Sequence, residues 1–69
     1  PMQAMSVLET GDMIMQDILI YNMAGQLVRK QSGINHNYFE LNRNDLESGI
    51  YNVLIRFDEA ATCIKLVVE

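Results

Sequence analysis

The sequence predicts an all-β fold: a small, immunoglobulin-like β-sandwich of about six to seven antiparallel strands. Three observations predict it. Several short segments alternate apolar and polar residues with the period of two that a strand requires. Turn-forming residues separate them: Thr10-Gly11-Asp12, Asn22-Met23-Ala24-Gly25, Ser48-Gly49 and Asp58-Glu59. No stretch carries the periodicity of a convincing amphipathic helix.

In chain order, Met2 to Glu9 alternate weakly and are read as a first strand, closed by the turn at Thr10-Gly11-Asp12. Asp17-Ile18-Leu19-Ile20-Tyr21-Asn22 is a second strand, rich in β-branched and aromatic residues. It is apolar on both faces and is expected to be buried in the sheet. Asn22 to Gly25 turn the chain, with Gly25 in the left-handed conformation that costs glycine nothing, and Gln26 to Lys30 return as the second arm of a hairpin. Gln31 to Asn37 is polar and is read as a loop. Tyr38 to Asn42 alternates again, with Phe39 and Leu41 inward and Glu40 outward.

Asn42 to Ser48 is a connection, in which Asn44-Asp45-Leu46 makes a single helical turn capped by Asn42 or Asn44 and tucks Leu46 under the sheet. Ser48-Gly49 bends the chain into its longest strand, with positive φ expected at Gly49. Tyr51, Val53, Ile55 and Phe57 share one face of this strand; Ile50 and Leu54 share the other with Asn52 and Arg56. Such a strand belongs at the centre of a sheet. A hairpin at Asp58 to Ala61 leads to the last strand, Thr62 to Val68. There Ile64, Leu66 and Val68 are expected inward and Cys63, Lys65 and Val67 outward. The expected core is therefore Ile18, Ile20, Phe39, Leu41, Tyr51, Val53, Ile55, Ile64 and Leu66.

With 69 residues the chain is read as one domain, spanning 1–69. It is 49% hydrophobic, enough for a core, and carries a net charge of −4. Its basic residues, Arg29, Lys30, Arg43, Arg56 and Lys65, are few and scattered, which argues against nucleic acid and against anionic membrane surfaces, since both need clustered cations. The single cysteine, Cys63, allows no intramolecular disulfide. No apolar run approaches the roughly 18 residues of a membrane-crossing helix. A chain opening on Pro1 is read as a fragment of something longer. If it is cut there, a preceding strand is missing, and self-association through the exposed strand edge is expected.

No catalytic constellation emerges. There is no nucleophile elbow, no phosphate loop and no zinc-type Cys/His spacing. His36, between two asparagines, is read as a solvated loop residue. The methionines Met2, Met5, Met13, Met15 and Met23 have no neighbouring Cys or His to complete a soft-metal site and are read as adaptable packing. Asp58-Glu59 and Asp45/Glu47 lack the dense alternating oxygens of a calcium loop. Cys63 is read as an inert, buried or half-buried thiol. No metal, cofactor or catalytic residue is assigned.

Three segments nevertheless carry a resemblance. Ile18 to Val28 has the strand-Tyr21-Asn22-turn-Gly25 hairpin, Leu46 to Val53 has the Leu46…Gly49-Ile50-Tyr51…Val53 pattern, and Lys65-Leu66-Val67 is a closing strand of lysine followed by aliphatics. In order and spacing these are similar to the C-terminal sorting domains of type IX secretion, over nearly the whole chain. Members often begin with a Tyr-Pro-Asn-Pro segment, whose second proline Pro1 matches; their usual ending is often basic, whereas this sequence closes on Val68-Glu69.

The resemblance implies a noncatalytic address at the end of a larger exported protein of the Bacteroidetes. The cargo passes through the periplasm, the folded domain is recognised by the outer-membrane type IX translocon, and a sortase-like protease removes it. The cargo ends on the outer-membrane surface or outside the cell. By the same resemblance Lys65, Leu66, Val67 and Val68 are the sorting residues, and Tyr21, Gly25, Leu46, Gly49 and Tyr51 hold the motifs in place. The rival reading is a β-sandwich accessory module that binds carbohydrate or protein for an attached enzyme. Exposed aromatics would favour it, but there is no Trp, and Tyr21, Tyr38 and Tyr51 lie in or beside strands.

Overall fold

The computed structural model describes residues 5–42 and 46–69. Six strands follow one another: β1 (Met5–Glu9), β2 (Met15–Tyr21), β3 (Leu27–His36), β4 (Tyr38–Asn42), β5 (Gly49–Arg56) and β6 (Ala61–Val68). Residues 2–4 of the expected first strand, and the capped turn at Asn44-Asp45, lie outside the described residues. All pairings are antiparallel. One sheet has four strands in the order β3-β2-β5-β6; the other pairs β1 with β4. The small β-sandwich expected from the sequence is the fold, and β5 sits inside its larger sheet.

The two interior strands supply the heart of the core. Ile18 stands opposite Ile55 and Ile20 opposite Val53, and all four are buried. The smaller sheet adds Leu41 from β4, with Leu8 and Phe39, cross-strand partners, packed half-buried against the same core. Arg29 of β3 donates from Nη1 to the carbonyl of Asn42 in β4, tying one sheet to the other. Thr10 donates its backbone N–H to the Asn37 carbonyl at 2.9 Å, and Asn37 Nδ2 donates to the Gly11 carbonyl at 2.8 Å, so the β1–β2 and β3–β4 connections brace each other.

Gln31 to Asn37 is not the loop its polarity suggested. The chain continues as strand to His36. Being at the sheet edge, β3 needs little apolar surface, which is why its composition misleads. Met15 pairs with His36 and Asp17 with Ser32, so β3 carries extra residues within this stretch. Gly33 and Asn35 take positive φ, 67° and 56°, and Ile34 between them is buried. Met15 joins Ile18 and Ile20 in the core despite the odd spacing, so the alternation of β2 is broken where its register against β3 shifts, between Met15 and Asp17.

The expected core needs correction in three places. Ile64 faces inward, paired with Val53, but is 38% exposed. Two strands, about 4.8 Å apart, cannot roof a sheet of four, and the inner face of β6 is left partly open. Leu66 of β6 is half-buried for the same reason, and Phe39, in β4 of the two-stranded sheet, is half-buried against the core. Leu19 and Tyr21, expected to be buried on the second face of β2, are also only half-buried, because among the described residues no layer covers the outer face of the larger sheet.

Candidate recognition site

The residues singled out by the sequence gather at one end of the sandwich, where β2 finishes, β5 begins and β6 finishes. The β2–β3 turn is built by Asn22. Its N–H donates to the Gln26 carbonyl and its own carbonyl accepts from Gly25 N–H, each at 3.0 Å. Its side-chain Oδ1 accepts from the N–H groups of Ala24 and Gln26. Gly25 has φ of +83°, the left-handed geometry this closure requires.

Beside this turn runs the loop into β5. Leu46 is buried in the core, as expected of the connection that leads into β5. Tyr51 is buried as well, and its hydroxyl donates to the Glu47 carbonyl at 2.6 Å. The bond pins the loop to the strand it enters, much as a tyrosine corner does in immunoglobulin-type sandwiches. Gly49 has φ of +157°, in the region that side-chain-bearing residues rarely adopt. Tyr21 lies half-buried on the outer face, opposite Asn52.

Among the described residues β6 is an edge strand, paired only with β5. Its register sets Val68 opposite Gly49, Val67 opposite Ile50, Leu66 opposite Tyr51 and Lys65 opposite Asn52. The four residues therefore divide. Val68 is buried and Leu66 half-buried, so both serve the core; Lys65 and Val67 are exposed on the outer face. Sequence reasoning did not single out Ile50, Met23 or Val28, which are exposed at this same end. Ile50 was legible as outward by its alternation with Tyr51. Nothing in the sequence set Met23 and Val28 near it; the fold does, around a shallow groove of about 480 Å³ lined also by Leu46, Glu47 and Tyr51.

Other chemistry-bearing residues stand apart. Cys63 is exposed, not buried or half-buried: it lies opposite Leu54 on the outer face of β6, which no layer covers among the described residues. His36 is exposed, its ring 6.3 Å from that of Tyr38. Met15 is core, while Met13 and Met23 are exposed; Met2 lies outside the described residues. Asp58, Glu59 and Glu47 are exposed, and Asp45 lies outside the described residues. Among the described residues no three His, Cys, Asp or Glu side chains gather.

A family model described as the secretion system C-terminal sorting domain matches residues 1–69, the type IX secretion family. The chain belongs to this family. No curated protein and no solved structure matches significantly. The sorting domain is a C-terminal signal for type IX secretion, and the accessory-module reading is not favoured. The sorting domains of this family are noncatalytic; they imply interaction with the type IX machinery and an attached N-terminal cargo. The address they carry is export across the outer membrane, to the cell surface or the extracellular space.

Proposed function

We propose that the cargo passes through the periplasm, that the outer-membrane type IX translocon then reads this domain in its folded form at β6, and that a sortase-like protease removes it. The observation that carries the reading is the division of labour along the last strand. Leu66 and Val68 point into the core while Lys65 and Val67 face out, so one strand is both anchored and displayed. Among the described residues its second backbone edge has no neighbour in the sheet, which leaves N–H and C=O groups for a receptor strand to pair with. The same edge can pair copies of the domain with one another, and light scattering at rising concentration measures that self-association.

The experiment is a fusion of residues 1–69 to a reporter that carries its own periplasmic export signal. In a type IX-competent host the fusion should reach the surface or medium; in a host lacking the translocon it should stay in the periplasm. Retention in both hosts, or release from both, overturns the reading. Deleting residues 65–69 would be a poor substitute, because it removes Leu66 and Val68 from the core along with the outward residues.

A further inference from the structure

Four aliphatic or thioether side chains crowd the end of the sandwich with no core to explain them. Val67 is 62% exposed and its cross-strand partner Ile50 is 46% exposed. Met23, 64% exposed, and Val28, 45% exposed, line the same groove as Ile50. Elsewhere the outer face of the larger sheet is interrupted by polar side chains: Lys30, Asn52, Lys65, and the Arg56–Asp17 ion pair at 3.7 Å. Single exposed hydrophobes are ordinary, but contiguous ones mark contact surfaces.

Their backbone supports are fixed. Val67 stands between Leu66 and Val68, which the core holds, and Ile50 stands between Gly49 and the buried, hydrogen-bonded Tyr51. A surface held this way loses little freedom on binding. Met23, at the tip of the turn, supplies the adaptable contact. Among the described residues, the one charged side chain lining the groove is Glu47, and exposed Glu69 follows Val68. A groove whose charged lining residue is a glutamate, on a chain of net charge −4, fits a cationic partner and repels anionic lipid.

We propose that Ile50, Val67, Met23 and Val28 form the docking surface for a protein component of the type IX machinery, one that presents an aliphatic ridge flanked by lysine or arginine. The inference rests on the sorting reading and deepens it. Binding energy comes from the apolar patch, which Val67 joins as the cross-strand partner of Ile50, while Lys65, paired with polar Asn52, contributes less.

The test uses the reporter fusion in the type IX-competent host. Ile50→Thr and Val67→Thr together keep β-branched shapes at both positions and make the pair polar. The double variant should be exported about tenfold less than the intact fusion, while Lys65→Ala is affected less. A photoreactive cross-linker at residue 67 of the otherwise intact fusion, which needs no destabilising change, should form an adduct with a type IX outer-membrane protein identified by mass. Normal export of the double variant overturns the proposal, as does an adduct only with lipid or only with a second copy. Failure of the intact fusion to be exported is a different result: it removes the sorting reading itself before any substitution is made.

Discussion

Replacing Tyr51 by Phe removes a single oxygen and leaves the buried ring in place. The lost contact is the 2.6 Å hydrogen bond to the Glu47 carbonyl. A typical intramolecular hydrogen bond contributes about 0.5–1.5 kcal/mol net, and a carbonyl left dry costs about 1–3 kcal/mol. Glu47 is an exposed residue, so water can replace the hydroxyl and the lower range applies. We expect a loss of about 1 kcal/mol, which for a domain this small lowers Tm by about 4–8 °C. Thermal unfolding followed by circular dichroism measures it. Amide exchange near Glu47 to Gly49 should accelerate more than exchange in β2, because the bond pins that loop. Tyr38→Phe is the control: Tyr38 is 52% exposed, and its change should stay within about 0.5 kcal/mol. If Tyr51→Phe melts with the parent chain, or if Tyr38→Phe matches it, the hydroxyl does not hold the loop.

Ile20→Ala, at a fully buried position, should cost about 2–5 kcal/mol; Ile64→Ala, on the open part of the inner face, should cost less than half as much in the same denaturant titration. Gly49→Val should cost about 1–3 kcal/mol from backbone strain, since the added Cβ meets nothing closer than Tyr51 Cε1 at 4.0 Å; an unchanged midpoint would show that the strand relaxes to ordinary extended geometry. Cys63 should react with a thiol reagent in the native state at a rate that denaturant does not greatly raise, because it is already exposed.

Much of this was legible because β2 and β5 are interior strands. Their inner residues must be apolar at every second position, and Ile18, Ile20, Tyr51, Val53 and Ile55 are. The turn at Asn22 to Gly25 and the plug at Leu46 were legible from chemistry that few other residues supply. The alternation of β6 also gave the outward direction of Lys65 and Val67. What alternation does not encode is cover. It gives the face of Ile64, Leu19 and Cys63 but not whether another layer lies over that face. It also fails where an edge strand is polar, as from Gln31 to His36, and where positive φ at Gly33 and Asn35 resets the period around Ile34. The groove end was illegible for a further reason: Ile50, Met23 and Val28 come from separate segments, and only strand order and register bring them together.

The pairing of Val67 with Ile50 has a consequence for proofreading. The surface that they form has one half in β5 and the other in a strand translated later. A polypeptide that stops short of residue 67 presents only Ile50, and it also lacks Val68 to close the core. A receptor that requires both halves accepts only chains whose synthesis has passed that point and whose sheet has assembled. A domain that ends before residue 67, or whose β5–β6 pair has not formed, gives such a receptor no complete surface to bind.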